Sequence, residues 1–269
     1  MILRKAIAFF KRDFKLQTSY RLAFLMQFFG IFFSVMIFFF LSRVFGKSVS
    51  SHLASYGGDY FAFVLIGIAF SSFLSTGLGS FSSSISSAQG QGTLEAMLVT
   101  PTKLATIILC SSLWNFALTS LNVLVYLLLG AIVFGLDLSK TNVPAALLIL
   151  FLTILIFSSI GIISASFIMV FKRGDPINWL FGSFSSLFGG TYFPITVLPA
   201  WLQKISYFIP LFYALRGMRY AVLQGYTFRQ LSGDIIALCI FSLVFLPISL
   251  LCFRKAVRQA KIEGSLVTY

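Results

Sequence analysis

Long apolar runs separated by short polar intervals set the pattern of this chain. Uninterrupted runs occupy about 22–41, 60–81, 104–134, 144–171, 177–192 and 235–253. A hydrocarbon layer of about 30 Å needs about 20 apolar residues per helix, so the pattern predicts six membrane spans. The run at 104–134 exceeds that minimum, so it must tilt or project. Between the fifth and sixth runs, residues 193–225 stay apolar and aromatic but carry Pro194, Pro199 and Pro210, which rules out one continuous helix. Irregular backbone at membrane depth survives where protein or a water-filled cavity satisfies it, so this stretch is expected to be a re-entrant hairpin dipping from the outer face. At the other extreme, residues 1–20 place Leu3, Ile7, Phe10 and Phe14 in one helical arc and Arg4, Lys5, Lys11, Arg12 and Lys15 in another. Such a helix lies in the membrane surface, unless the basic cluster only sets topology. The expected fold is all-α and polytopic, a single transmembrane domain over 1–269 without internal repeat or separate soluble domain.

Composition supports the same class. The chain is 58% hydrophobic and 10% charged, with 33 Phe, against about 25% charged in soluble domains. Its formal charge of +13 reflects where basic residues sit: with both termini inside, 13 of the 20 Lys and Arg fall on the inner side. That bias orients membrane proteins, and no basic stripe lies away from the spans to suggest nucleic acid. The expected location is a cell membrane, that of a bacterium, with both termini cytoplasmic. The first run follows a 21-residue basic segment and is too long for a cleavable leader core, so it is expected to remain as a span. Cys110, Cys239 and Cys252 lie inside apolar runs without metal or disulfide spacing and are read as packing residues.

Candidate chemistry is sparse. Seven acids are scattered and form no catalytic constellation. His52 has no companion ligands and is read as a solvated loop residue near the Gly57-Gly58 turn; no metal site is expected. The span centres hold essentially no ionisable residue, which argues against proton- or sodium-driven transport. No phosphate-cradling loop is present, so the chain is not itself an ATPase of the usual kind. Nine of the seventeen residues from Ser71 to Ser87 are serine. They predict close helix packing with hydroxyls bonded to their own helix, or alternatively a wall that slides or lines a pathway. Arg216 and Arg219, one turn apart, are expected to snorkel to headgroup level, the alternative being capture of an anionic headgroup or substrate.

The segment 90–102, GQGTLEAMLVTPT, is an amphipathic interval between two spans on the inner side. On a helix capped by Thr93, residues Leu94, Met97, Leu98 and Pro101 can face the bilayer or a partner groove, with Glu95 at the positive helix start or opposite a basic partner residue. A partner-docking helix and a plain surface loop both fit these residues.

Three features together resemble the membrane permeases of ABC exporters of the drug, antibiotic and glycolipid type, the type-two export family: GTLEAMLVTPT after the second span, GGTYFPITVLPAWLQKISYFIPLFYALRGMRYAVLQG after the fifth, and the six-span plan with a basic amphipathic N-terminus. The resemblance implies a permease subunit with no enzymatic site of its own. It would work as a homodimer or heterodimer, among membrane lipids, and each copy would dock on a separate ATP-binding cassette subunit that binds the ATP. The permease itself would carry no cofactor. It further implies that Gly92, Thr93, Leu94, Glu95, Leu98, Thr100 and Pro101 form a coupling helix for docking. Phe193, Pro194, Leu198 and Pro199 would shape an outer gate. The chain departs from the family at Arg216, where relatives carry an acid. The Phe-rich spans suit an amphipathic or lipid-like cargo, the alternative being that Phe is ordinary lipid-facing filler. A membrane scaffold or accessory subunit, or a membrane-embedded lipid transferase, are the competing classes.

Overall fold

The computed structural model describes residues 2–90, 104–171 and 175–262, and all regular structure among them is helical. In chain order the helices are α1 (Ile2–Ser19), α2 (Arg21–Val49), α3 (Tyr60–Gly90), α4 (Leu104–Ile132), α5 (Val143–Phe171), α6 (Pro176–Phe188), α7 (Ala200–Ser206), α8 (Pro210–Leu223) and α9 (Ser232–Ile262). Short 3-10 helices at Ser50–Tyr56 and Ile195–Val197 complete the path. Among the described residues five helices, α2, α3, α4, α5 and α9, are long and apolar enough to cross a membrane.

Burial ranks them. The apolar window of α3 is 72% buried and that of α5 is 44%, whereas α2, α4 and α9 reach only 11–17%. The serine-rich helix is thus the axle of the bundle, and the Phe- and Leu-rich helices surround it with apolar faces turned outward, among them Phe29, Phe33, Leu124 and Leu243. Small residues make this possible by letting backbones approach. A Cβ on Gly161 of α5 would fall on the Gly77 carbonyl of α3, and one on Gly77 would lie 2.6 Å from the Phe157 Cβ. The serine hydroxyls largely turn back on their own helix: Ser82 donates to the Gly79 carbonyl at 3.1 Å and Ser84 to that of Ser80 at 2.7 Å. Thr76 instead reaches Thr119 of α4 at 2.6 Å, and Gln27 of α2 donates to Asn122 of α4 at 3.0 Å.

The contacts define two ends. At the near end Phe81 and Ile85 of α3, Ala165 and Met169 of α5 and Ala256 of α9 form one cluster, and Phe10 and Phe14 of α1 pack edge-on against Trp114 of α4 at 5.1 and 5.6 Å. At the far end the turn before α5 clasps the end of α8. Asn142 donates its backbone N–H to the Ala221 carbonyl at 2.9 Å, and its side chain donates to that of Tyr226 at 2.9 Å. Asn142 also starts α5, with its side chain accepting from the Ala145 N–H and Pro144 in the first turn.

The expected fifth span, 177–192, is where the pattern and the fold part. There the chain forms α6, only 13 residues long, or about 20 Å against a hydrocarbon layer of about 30 Å. Asp175 caps it, accepting from the Asn178 N–H at 3.0 Å, with Pro176 at its first position. The same carboxylate accepts from the Ser164 hydroxyl of α5. Seven residues separate Ser164 from the end of α5 at Phe171, so α6 begins about 10 Å inside the near end. It runs beside α3 from Asn178, next to Gly79, to Gly189-Gly190-Thr191, next to Gly67. The passage to the far end is then completed by the proline-rich segment.

Candidate functional site

The proline-rich segment expected to be re-entrant folds as a turn, a 3-10 helix and two short helices. Gly190 takes φ +76°, a left-handed conformation that suits glycine. Of the expected gate residues, Pro194 is buried and Phe193 and Leu198 are half-buried, while Pro199 is exposed. Pro194 and Leu198 flank the 3-10 helix Ile195–Val197, and Pro199 precedes α7. Gln203 donates to the Leu198 carbonyl at 2.7 Å and closes the corner. These four residues share one corner of the chain. Trp201 and Phe208 stand exposed on and just after α7.

What fixes this corner to the bundle is Arg219 of α8, and its role corrects the expectation of a snorkelling side chain. Arg219 is buried. Its Nε donates to the Phe63 carbonyl at 3.1 Å, and one terminal nitrogen donates to the carbonyls of Gly190 and Thr191 at 2.8 and 3.1 Å. Its guanidinium lies over the Phe63 ring, 3.4 Å from the centroid. A buried cation is costly unless its donors are satisfied, and here main-chain oxygens and a ring face serve instead of a carboxylate. Gly67 leaves the room: a Cβ there would meet the Thr191 carbonyl and come within 2.6 Å of the Arg219 nitrogen. Helices α3 and α8 and the turn after α6 are thereby tied at one point.

Arg216, one turn earlier, also departs from that expectation. It donates twice to Asp234 of α9, at 2.8 and 2.5 Å, and packs over the rings of Phe212 and Tyr213. The acid that pairs with it, Asp234, comes from the next helix. Asp234, at the start of the last span, was the available signal in the sequence; nothing local marked Arg219 for burial. Beside them Tyr56 stacks on Tyr220 at 5.2 Å, and Tyr220 on Tyr226 at 4.8 Å. Burial of the Tyr56 phenol pushes its pKa up to about 12, with the Arg219 charge opposing the shift.

The near end is where Gly92, Thr93, Leu94, Glu95, Leu98, Thr100 and Pro101 belong by sequence, but they fall in 91–103, outside the described residues. Its described frame is the end of α3 and the start of α4, with the basic helix α1 packed on α4 through Trp114. On α1 the side chains of Lys11, Arg12 and Lys15 are exposed. Among the described residues no group of His, Cys, Asp or Glu can hold a metal ion. The cysteines are free, with Cys110 buried and the other two half-buried, and His52 is exposed.

Residues 5–223 match the family model described as ABC-2 type transporter. The match runs from the N-terminal helix to the last residue of α8. No curated protein matches the chain.

Proposed function

The chain belongs to the ABC-2 type transporter family, whose members are membrane permease components without an ATPase site, and from that premise we propose that it moves an amphipathic or lipid-like cargo outward as one half of a permease dimer. Membership implies association with an ATP-binding cassette subunit. In the proposed arrangement the near end is cytoplasmic, since most basic residues gather there and such residues stay on that side. The sixth crossing is composite: α6 covers the middle of the bilayer and the corner 189–209 the outer leaflet. The permease binds no cofactor; ATP is bound and hydrolysed by the partner.

Docking is assigned to Gly92, Thr93, Leu94, Glu95, Leu98, Thr100 and Pro101, with α1 beside them. Closure at the outer side is assigned to Phe193, Pro194, Leu198 and Pro199. The observation that carries this reading is the extent of the family match, which takes in every one of these positions. What supports the gate assignment is that Arg219 anchors the neighbouring α8 while the corner itself contributes exposed aromatic surface.

The test is reconstitution. The permease, alone and with candidate ATP-binding subunits, is placed in liposomes, and complex formation, ATP hydrolysis and cargo export are measured together. ATP-dependent export by a complex supports the reading. Product formation from a lipid by the chain alone, without ATP, would replace it with a transferase.

A further inference from the structure

Among the four apolar clusters of the described residues, two are shared by α3, α5 and α9, and the boundary between these two lies at one depth. Leu78 of α3 and Ile160 of α5 belong to the far core, against which Phe245 of α9 packs. Further toward the near end, Phe81, Ala165 and Ala256 of the same three helices belong to the near core. Phe116 of α4 packs against both.

Each of the three helices carries a conformationally special residue at this boundary. On α3 and α5 it is the Gly77–Gly161 contact, where the Gly161 Cα approaches the Gly77 carbonyl and the Phe157 Cβ packs on Gly77. On α9 it is Pro247, the proline inside that helix, which deprives the Leu243 carbonyl of its helical donor and weakens the helix there. Helix α6 also starts near this level, with Asn178 beside Gly79, so it braces the far core more than the near one. The buried Ser80 hydroxyl, which has no hydrogen-bond partner among the described residues, sits at the same boundary.

We propose that the permease bends at this mid-depth waist, with the Gly77–Gly161 contact as pivot and Pro247 as the compliant point of α9. The ends of α3, α5 and α9 tilt as one body against the far-end body that holds α8 and the outer corner. Well-packed cores move as units and concentrate deformation at the joint between them. On the proposed function, on which this use of the hinge rests, a push at the near end would reach the outer corner as a tilt of a whole body.

The test needs no ATP-binding subunit. The full chain, with its three cysteines replaced by alanine, is spin-labelled through Ser86→Cys and Ser139→Cys, one exposed site at each end. It is diluted with unlabelled chain in lipid nanodiscs, and distances are measured by pulsed electron resonance. The control pair, Ser139→Cys with Phe228→Cys, lies wholly at the far end. The cross-waist pair is expected to show two distance components and the control one. Pro247→Ala, at a position exposed on the bundle surface, should abolish the second component, and Gly161→Ala should shift the mean distance. A single narrow component for the cross-waist pair, or two components that survive Pro247→Ala, would overturn the hinge and leave the transport reading intact. Failure to form an ATP-hydrolysing complex would have the opposite effect.

Discussion

Arg219 sets its guanidinium 3.4 Å from the centre of the Phe63 ring while its Nε donates to the Phe63 main-chain carbonyl at 3.1 Å. One side chain thus engages both the ring and the backbone of a residue far away in sequence. Replacing it by Met should remove three donors and leave the Gly190 and Thr191 carbonyls buried. The expected loss is about 2–3 kcal/mol, read as an earlier unfolding transition in detergent. Arg219→Lys should recover only part of it, since an ammonium lacks the planar fork.

Gly67→Ala strikes the same knot from the α3 side. Its Cβ would meet the Thr191 carbonyl, which is backbone and gives little. A penalty of about 1–3 kcal/mol is expected, and Gly30→Ala, which meets nothing within 4 Å, is the control for a change of helix propensity.

Much of this plan was legible in the sequence. Apolar runs located the five long helices to within a few residues, with larger extensions only at the ends of α2, α3 and α9, because hydrophobicity is a local property that any window reads. The prolines located the corner for the same reason. Depth was not legible: the fifth run looked like a span because its composition is apolar, yet the Ser164–Asp175 bond and the Gly189-Gly190 turn confine it to the middle of the bundle. Arg216 and Arg219 were misread for a related reason. Their fates depend on Asp234, Phe63 and Thr191, partners brought in by tertiary packing that spacing along one helix cannot disclose.

The Arg216–Asp234 pair offers a double-mutant cycle. Asp234→Ala should cost about 1–3 kcal/mol by leaving a partly buried cation unpaired, with the exposed side of Arg216 moderating the loss. Arg216→Met combined with Asp234→Leu should restore most of that stability. Equal losses for the double variant and the sum of the singles would show that the two groups are not coupled.

Tyr56 predicts an alkaline limit. Its phenol is held neutral up to about 12, above its ordinary value of 10.0, so the unfolded chain ionises first. Stability is therefore retained below pH 10 and declines as the pH rises toward 12. In a spectrophotometric titration, Tyr56→Phe should delete one late-ionising phenolate and soften the decline.

Docking predicts a charge- and surface-sensitive assembly. Glu95→Lys together with Leu98→Asp should abolish co-purification with the ATP-binding subunit while leaving the permease folded and in the membrane. Complex formation at the wild-type level would remove this segment as the contact.

The heavy burial of α3 has a consequence for biogenesis. This helix is made second among the long ones, but the α5 backbone that covers Gly77 and the α8 arginine that holds its outer end are translated much later. Until then its serine- and glycine-lined flanks must wait in lipid or be shielded by the insertion machinery. Chains halted before α5 should therefore be recognised as unfinished and degraded quickly, and those halted after α8 should persist, a difference that pulse-chase labelling of truncated chains would register.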